Sequence, residues 1–179
     1  EGEGRSVALI WRQIRTVELE AGRLDRANAA VERELTARES LGEDAAVAAT
    51  LLEAARVGRW AGRWSEAEAR LGRAAELRAH MQDMEGVAKV LLALGSLLLE
   101  LGRPKAARRK LEAARDALGE HGPLELRAEL WRFFAETDLA TLESFVCEQE
   151  PLAWVEDECL DVEVTTDGAL SEKQLVRRA

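Results

Sequence analysis

The sequence predicts an all-α fold, a superhelix of stacked helix-turn-helix units with a short extended and helical tail at its C-terminus. Three observations predict it. Gly22, Gly62 and Gly102 recur with a period of 40 residues. Each is followed by the same skeleton: Ala27, Val31 and Glu34; Ala67, Leu71 and Ala74; Ala107, Leu111 and Ala114. The stretch before each glycine repeats too, with Trp11, Leu51, Leu91 and Trp131 in register and Ile14, Ala54, Leu94 and Phe134 three residues further on. A fixed period of this kind marks supersecondary units that cannot bury their apolar faces alone and must stack. Composition agrees: 47% apolar and 33% charged residues, three prolines and no tyrosine suit exposed amphipathic helices.

Taken in order, Ser6 reads as the N-cap of a first helix whose apolar stripe, Leu9, Trp11, Ile14 and Val17, runs to Gly22. Its partner spans about Asp25 to Ser40 and buries Ala27, Val31 and Leu35. Gly42 and Asp44 reset the chain, residues 45–61 form the next helix, and Ser65 is expected to cap its partner. The third pair covers about 86–101 and 104–119, with Pro104 in the first turn, where a missing N–H costs nothing. Pro123 opens a fourth unit with the helix LELRAELWRFFAETDLA. There Leu142 stands in the glycine position and Cys147 in the alanine position, so a degenerate capping second helix is expected before Pro151. The repeat domain is therefore 1–150, with units at about 6–43, 44–83, 84–123 and a partial 124–150, and the acidic tail is 151–179. In the tail, ECLDVEV alternates like a short strand, TTDG reads as a turn, and Ser171 with Gln174 opens a helix ending at Arg177 and Arg178.

This skeleton resembles the tetratricopeptide repeat (TPR), W-x2-L-G-x2-Y followed by A-x3-F. Leu91-x2-Leu94-Gly95-x2-Leu98 with Ala107-x3-Leu111 matches best, and Trp11 and Trp131 occupy the tryptophan site. The small residue after it is present as Ala55, Gly95 and Ala135 and absent at Arg15. The usual terminal proline is missing, and the period exceeds the usual value of about 34. The excess is assigned to a longer second helix and to the loops SLGED, HMQDMEG and GEHGP. Kinesin light chains and the sensor regions of several large bacterial transcription activators are similar. The resemblance covers residues 6–141 and implies a right-handed superhelix.

Charge and motifs narrow the function. The formal net charge is -9, of which residues 142–179 contribute -7. Nucleic-acid backbone affinity needs an excess of Lys and Arg, so no nucleic acid is expected as a partner. The run Arg103, Lys105, Arg108, Arg109 and Lys110 lies on a second helix without interleaved aromatics and reads as a solvated face. No stretch approaches the roughly eighteen apolar residues of a membrane span, and no signal peptide opens the chain. Two cysteines, Cys147 and Cys159, fit a reducing compartment, and a cytoplasmic location is expected. The first residue is Glu1, which suggests a piece of a longer chain, and Arg-over-Lys usage suggests a bacterial source.

Catalysis and metal binding have no support. Phosphate-loop, zinc-protease, hydrolase and kinase signatures are missing. His80 and His121 fall in inter-repeat loops, and the tail acids lack the glycine and spacing of a calcium loop. No enzyme activity, metal or cofactor is expected. Trp60 and Trp64 flank Gly62, as turn plugs or as an exposed aromatic anchor.

Binding is the better case. The resemblance implies that the first helix of each unit lines a concave groove, with its lining face one residue away from the buried stripe. On this chain that face is Arg12, Thr16 and Leu19; Leu52, Arg56 and Arg59; Lys89, Leu92, Ser96 and Leu99; Arg132, Glu136 and Leu139. Leucines with arginines suit an acidic, partly apolar peptide or partner protein. Equally, the arginines are ordinary helix cations paired with nearby glutamates. The lysine and asparagines of the chaperone-binding carboxylate clamp are replaced by Arg12, Thr16 and Glu53, so chaperone tails are not expected ligands. Two functions follow: an adaptor or sensor module binding a polypeptide, or a regulatory segment that self-associates through its C-terminal unit or tail, with the acidic tail docking in the groove.

Overall fold

The computed structural model describes residues 2–148, with side chains through Thr141. Its architecture is all-helical: α1 (Gly2–Glu20), α2 (Leu24–Ser40), α3 (Asp44–Trp60), α4 (Trp64–His80), α5 (Met84–Glu100), α6 (Pro104–Leu118) and α7 (Leu124–Glu148), with no strand among the described residues. Successive helices pack on one another, α1 on α2, α2 on α3, and so on through α6. The repeat compact unit ends at Val146. The expected tail, its strand and its short helix lie outside the described residues. No described helix is long and apolar enough to cross a membrane.

The cadence is finer than the sequence suggests. Helices α2 to α5 are each 17 residues long, and the helices from α1 to α6 are joined by three-residue turns, so every helix from α1 to α5, not every pair, ends in the same way. At the centre of each turn sits a residue in the left-handed region: Gly22 (φ 69°), Gly42 (65°), Gly62 (70°), Gln82 (57°) and Gly102 (65°). Two bonds close each turn, as in Gly62 N–H to the Arg59 carbonyl (3.0 Å) and Arg63 N–H to the Gly58 carbonyl (2.8 Å). This is the Schellman pattern, and it satisfies carbonyls that the helix end leaves free. The loops assigned to SLGED and HMQDMEG are thus corrected to three-residue turns. The length beyond the usual repeat lies in the helices, and His80 is the last residue of α4 rather than a loop residue.

Gln82 does a glycine's task with a β-carbon. Gln82→Gly is expected to stabilise the chain by about 0.5–1 kcal/mol, because glycine enters this region without steric cost; urea unfolding of the two forms reads the difference.

Helix starts also differ from expectation. Ser6 lies inside α1, its hydroxyl donating to the Gly2 carbonyl, and Ser65 lies inside α4. Among the caps described, Asp83 accepts from the Gly86 N–H at 2.9 Å. That bond, with the Arg78 guanidinium beside it, holds the Asp83 carboxyl below its ordinary range. Pro104 opens α6 as expected. The fourth unit differs most, because α7 runs unbroken through position 142 to Glu148. Leucine there cannot cheaply take the left-handed turn that glycine takes at Gly22, Gly62 and Gly102, so the helix continues where a second helix was expected.

Small residues set the packing distance. Ala27, Ala54, Ala67, Ala74, Ala107 and Ala114 are fully buried. At Gly95 a β-carbon would come within 2.7 Å of Leu111 Cδ2, so α5 and α6 approach at glycine distance. In α1 the outcome is different. Ala8 and Arg15 are buried, whereas Leu9 and Val17, expected in the buried stripe, are exposed. Helix α2 covers one side of α1, and no element among the described residues covers the other.

Candidate binding groove

Because first and second helices alternate, α1, α3 and α5 bring the same register positions to one face. Between α1, α2 and α3 this leaves a cleft of about 630 Å³, with Arg12, Thr16, Leu52 and Arg56 on its walls. A smaller cleft of about 190 Å³ lies between α3, α5 and α7, lined by Leu52, Arg59, Lys89, Leu92 and Ser96. Leu52 belongs to both, so seven of the nine expected site residues meet along one continuous surface. Arg132 and Glu136 line neither cleft. They pair with each other on α7 at 2.8 Å, and the Arg132 guanidinium lies over the Phe133 ring at 4.2 Å. Leu92 is a floor residue, buried among Leu126, Leu130 and Phe133.

Most groove cations have intramolecular partners. Arg56 pairs with Glu53 (2.5 Å), Arg59 with Glu100, and Lys89 with Glu85 (2.6 Å). Such exposed pairs contribute about 0–1 kcal/mol each, so an incoming carboxylate can replace the internal one at little cost. Arg12 is exposed and forms no ion pair with the described residues.

Beneath the larger cleft lies a polar centre that the other units lack. Arg15 and Glu34 are 6% and 1% exposed. Arg15 Nη1 donates to Glu53 Oε2 at 3.0 Å. Its Nε faces Glu34 Oε2 at 3.4 Å, an ion pair without hydrogen-bond alignment that leaves both atoms without a hydrogen-bonding partner. Arg38 donates to Glu34 Oε1 at 3.0 Å, and the buried Thr50 hydroxyl lies 3.2 Å from the same oxygen and 2.9 Å from the Ala46 carbonyl.

The repeat shows how unusual this is. One period on, Arg15 becomes Ala55 and Glu34 becomes Ala74; two periods on they are Gly95 and Ala114. Thr50 corresponds to Val90, and Glu53 to Ala93. Three positions that are small or apolar elsewhere, those of Arg15, Glu34 and Thr50, have become polar together, and Glu53, whose counterpart in the first unit is Gln13, completes the contact. Paired buried charges are rarely a source of stability, because desolvation offsets their attraction, and a concerted polar substitution under an open cleft makes this a candidate site. The sequence signal was the failure of the small-residue position at Arg15; the facing residues Glu34 and Thr50 come from other helices and were not in the expected set. The cleft walls carry Arg12, Arg15, Arg38, Arg56 and Arg78 against Glu34 and Glu53, with Asp83 paired to Arg78 and Glu43 near Arg38 just outside, so Arg12 is the lining cation that no described carboxylate pairs.

Trp60 is exposed at the α3–α4 turn with Arg56 over its ring at 5.4 Å, and Trp64 is more covered. No cluster of three metal-ligating side chains occurs among the described residues.

No protein-family model and no curated protein matches the chain. Among solved structures it is similar to BtubC (BKLC) from P. vanneervenii, with a TM-score of 0.59 and 17% sequence identity over 90% of this chain and 72% of that one. At that identity the likeness is one of fold, and it places the chain among all-α helical-repeat structures.

Proposed function

We propose that the chain is a TPR-type protein-interaction module, non-enzymatic and cytoplasmic, that binds an acidic segment of a partner polypeptide along the groove of α1, α3 and α5. The observation that carries this reading is the concerted polar centre of Arg15, Glu34, Thr50 and Glu53 under an arginine-rich cleft. Leucines at Leu19 and Leu52 supply apolar area, and Arg12 and Arg56 supply bidentate donors for carboxylates. The test is calorimetric titration of a capped peptide, VEDECLDVEV, into the chain lacking residues 151–179. Arg12→Glu with Arg56→Glu, both exposed and so harmless to folding, is expected to weaken binding at least about tenfold, since hydrogen bonds to charged groups contribute about 1.5–3 kcal/mol each. Equal affinity would move the site off the groove.

A second reading is favoured by the charge split, -7 in residues 142–179. The acidic tail is then itself a groove ligand, which makes the module self-regulated within a larger bacterial signalling or transcription protein. The full chain would bind the free peptide more weakly than the truncated one; identical binding by the two excludes it.

A further inference from the structure

The open side of α1 is distinct from the groove, and the repeat says what such a surface is for. Val7, Ile10 and Val17 are between 44% and 56% exposed. Their counterparts one period on, Val47, Thr50 and Val57, are buried, and so are Val87, Val90 and Leu97 two periods on. In those units the same face is covered by the preceding second helix, α2 over α3 and α4 over α5. The exposed face of α1 is therefore continuous in register with the interfaces that are closed at α3 and α5. Ile14, half-buried, completes a stripe at 7, 10, 14 and 17, the alternating three- and four-residue spacing of a helix–helix seam. Between this stripe and the groove face lies a hollow of about 560 Å³, lined by Leu9, Arg12, Gln13, Thr16, Val17 and Glu20.

We propose that this face is an interface between two copies of the chain, α1 against α1 in antiparallel orientation about a two-fold axis. The choice of occupant rests on charge and symmetry. The stripe is uncharged and self-complementary: Val7 meets Val17 of the second copy, and Ile10 meets Ile14. The shoulders agree, with Glu20 facing Ser6, Glu3 facing Ala21, and Gln13 near its own symmetry mate. A parallel pair would set Glu3 of the seam against Glu3, and like charges held at contact oppose association. A two-fold contact of this kind is the commonest closed assembly of identical chains. One helix pair falls below the standard interface size of roughly 1,200–2,000 Å², so the dimer is a reversible one. None of this depends on what the groove binds.

Sedimentation velocity on the full chain over a wide concentration series is expected to show a reversible monomer–dimer equilibrium. Ile10→Glu, on an exposed site, is expected to weaken it at least about tenfold with the helical circular dichroism unchanged. A monomer throughout, or a dimer indifferent to Ile10→Glu, overturns the proposal. Orientation is read separately in a Cys147→Ser, Cys159→Ser background. Val7→Cys mixed with Val17→Cys is expected to form a disulfide-linked pair, and neither alone. Self-linking by Val7→Cys alone would overturn the antiparallel arrangement.

Discussion

Arg15→Ala is expected to destabilise the chain by about 3 kcal/mol, and adding Glu34→Ala to recover most of that loss. Removing Arg15 leaves a carboxylate that is 1% exposed with Arg38 and Thr50 as its remaining partners. Breaking one side of a buried pair typically costs 3–5 kcal/mol, and those partners keep the effect near the lower bound. Glu34→Ala alone is expected to cost about as much, since it strands the Arg15 Nε, although Glu53 still holds Nη1. The double variant instead reproduces the Ala55 and Ala74 pair of the second unit, an arrangement the solenoid already packs well. The checking measurement is a urea double-mutant cycle, with hydrogen exchange on α1 to α3 to localise the loss, because a repeat array need not unfold in one step. Additive losses in the double variant would show that the two residues do not act as a pair.

The same residues show what was legible in the sequence. The period of 40, the all-α class and the exposed face of the first helices follow from glycine, alanine and leucine spacing, because a periodic fold writes the same constraint several times. Turn geometry was harder to read. Gly42 repeats the role of Gly22 and Gly62, yet its counterpart is Gln82, so the identity of all five turns is visible only as backbone angle. Position 142 carried the right signal, a leucine for a glycine, but the consequence was a longer α7 rather than a shorter second helix. An absent stop lets a helix continue, and apolar spacing alone does not say where it ends.

The candidate site was legible in part for a related reason. Arg12, Leu52, Arg56, Arg59, Lys89 and Ser96 sit on first helices and could be placed by register alone. Their pairing could not. Arg59 reaches Glu100 of the next unit and Arg15 reaches Glu34 and Glu53 on two other helices, contacts set by how neighbouring units stack. Arg15 broke the small-residue pattern in plain view. Its meaning depended on Glu34, a residue 19 positions away that also broke the alanine pattern. Two departures that face each other point to a candidate site; each by itself reads as drift.

Transplanting the pair tests whether the centre is built or merely tolerated. Ala55→Arg with Ala74→Glu puts both charges into the second unit, and the expected result is a loss of about 3–5 kcal/mol, with charge burial and overpacking both contributing. Both recipient positions are fully or almost fully buried, at 1% and 0% exposed. The pair there would meet Val90 and Ala93 of the third unit, where the pair in the first unit meets Thr50 and Glu53 of the second, so neither a hydroxyl for the new carboxylate nor a second carboxylate for the new guanidinium is at hand. Arg78, the counterpart of Arg38, is already engaged with Asp83 at 2.5 Å. Adding Val90→Thr and Ala93→Glu should recover a substantial part of the loss, since unmade hydrogen bonds to buried charges are the main penalty. Thermal and urea unfolding of the two-fold and four-fold variants measure it. A two-fold variant as stable as the parent would mean that any unit accepts the pair, and the polar centre of the first unit would then lose its standing as a site.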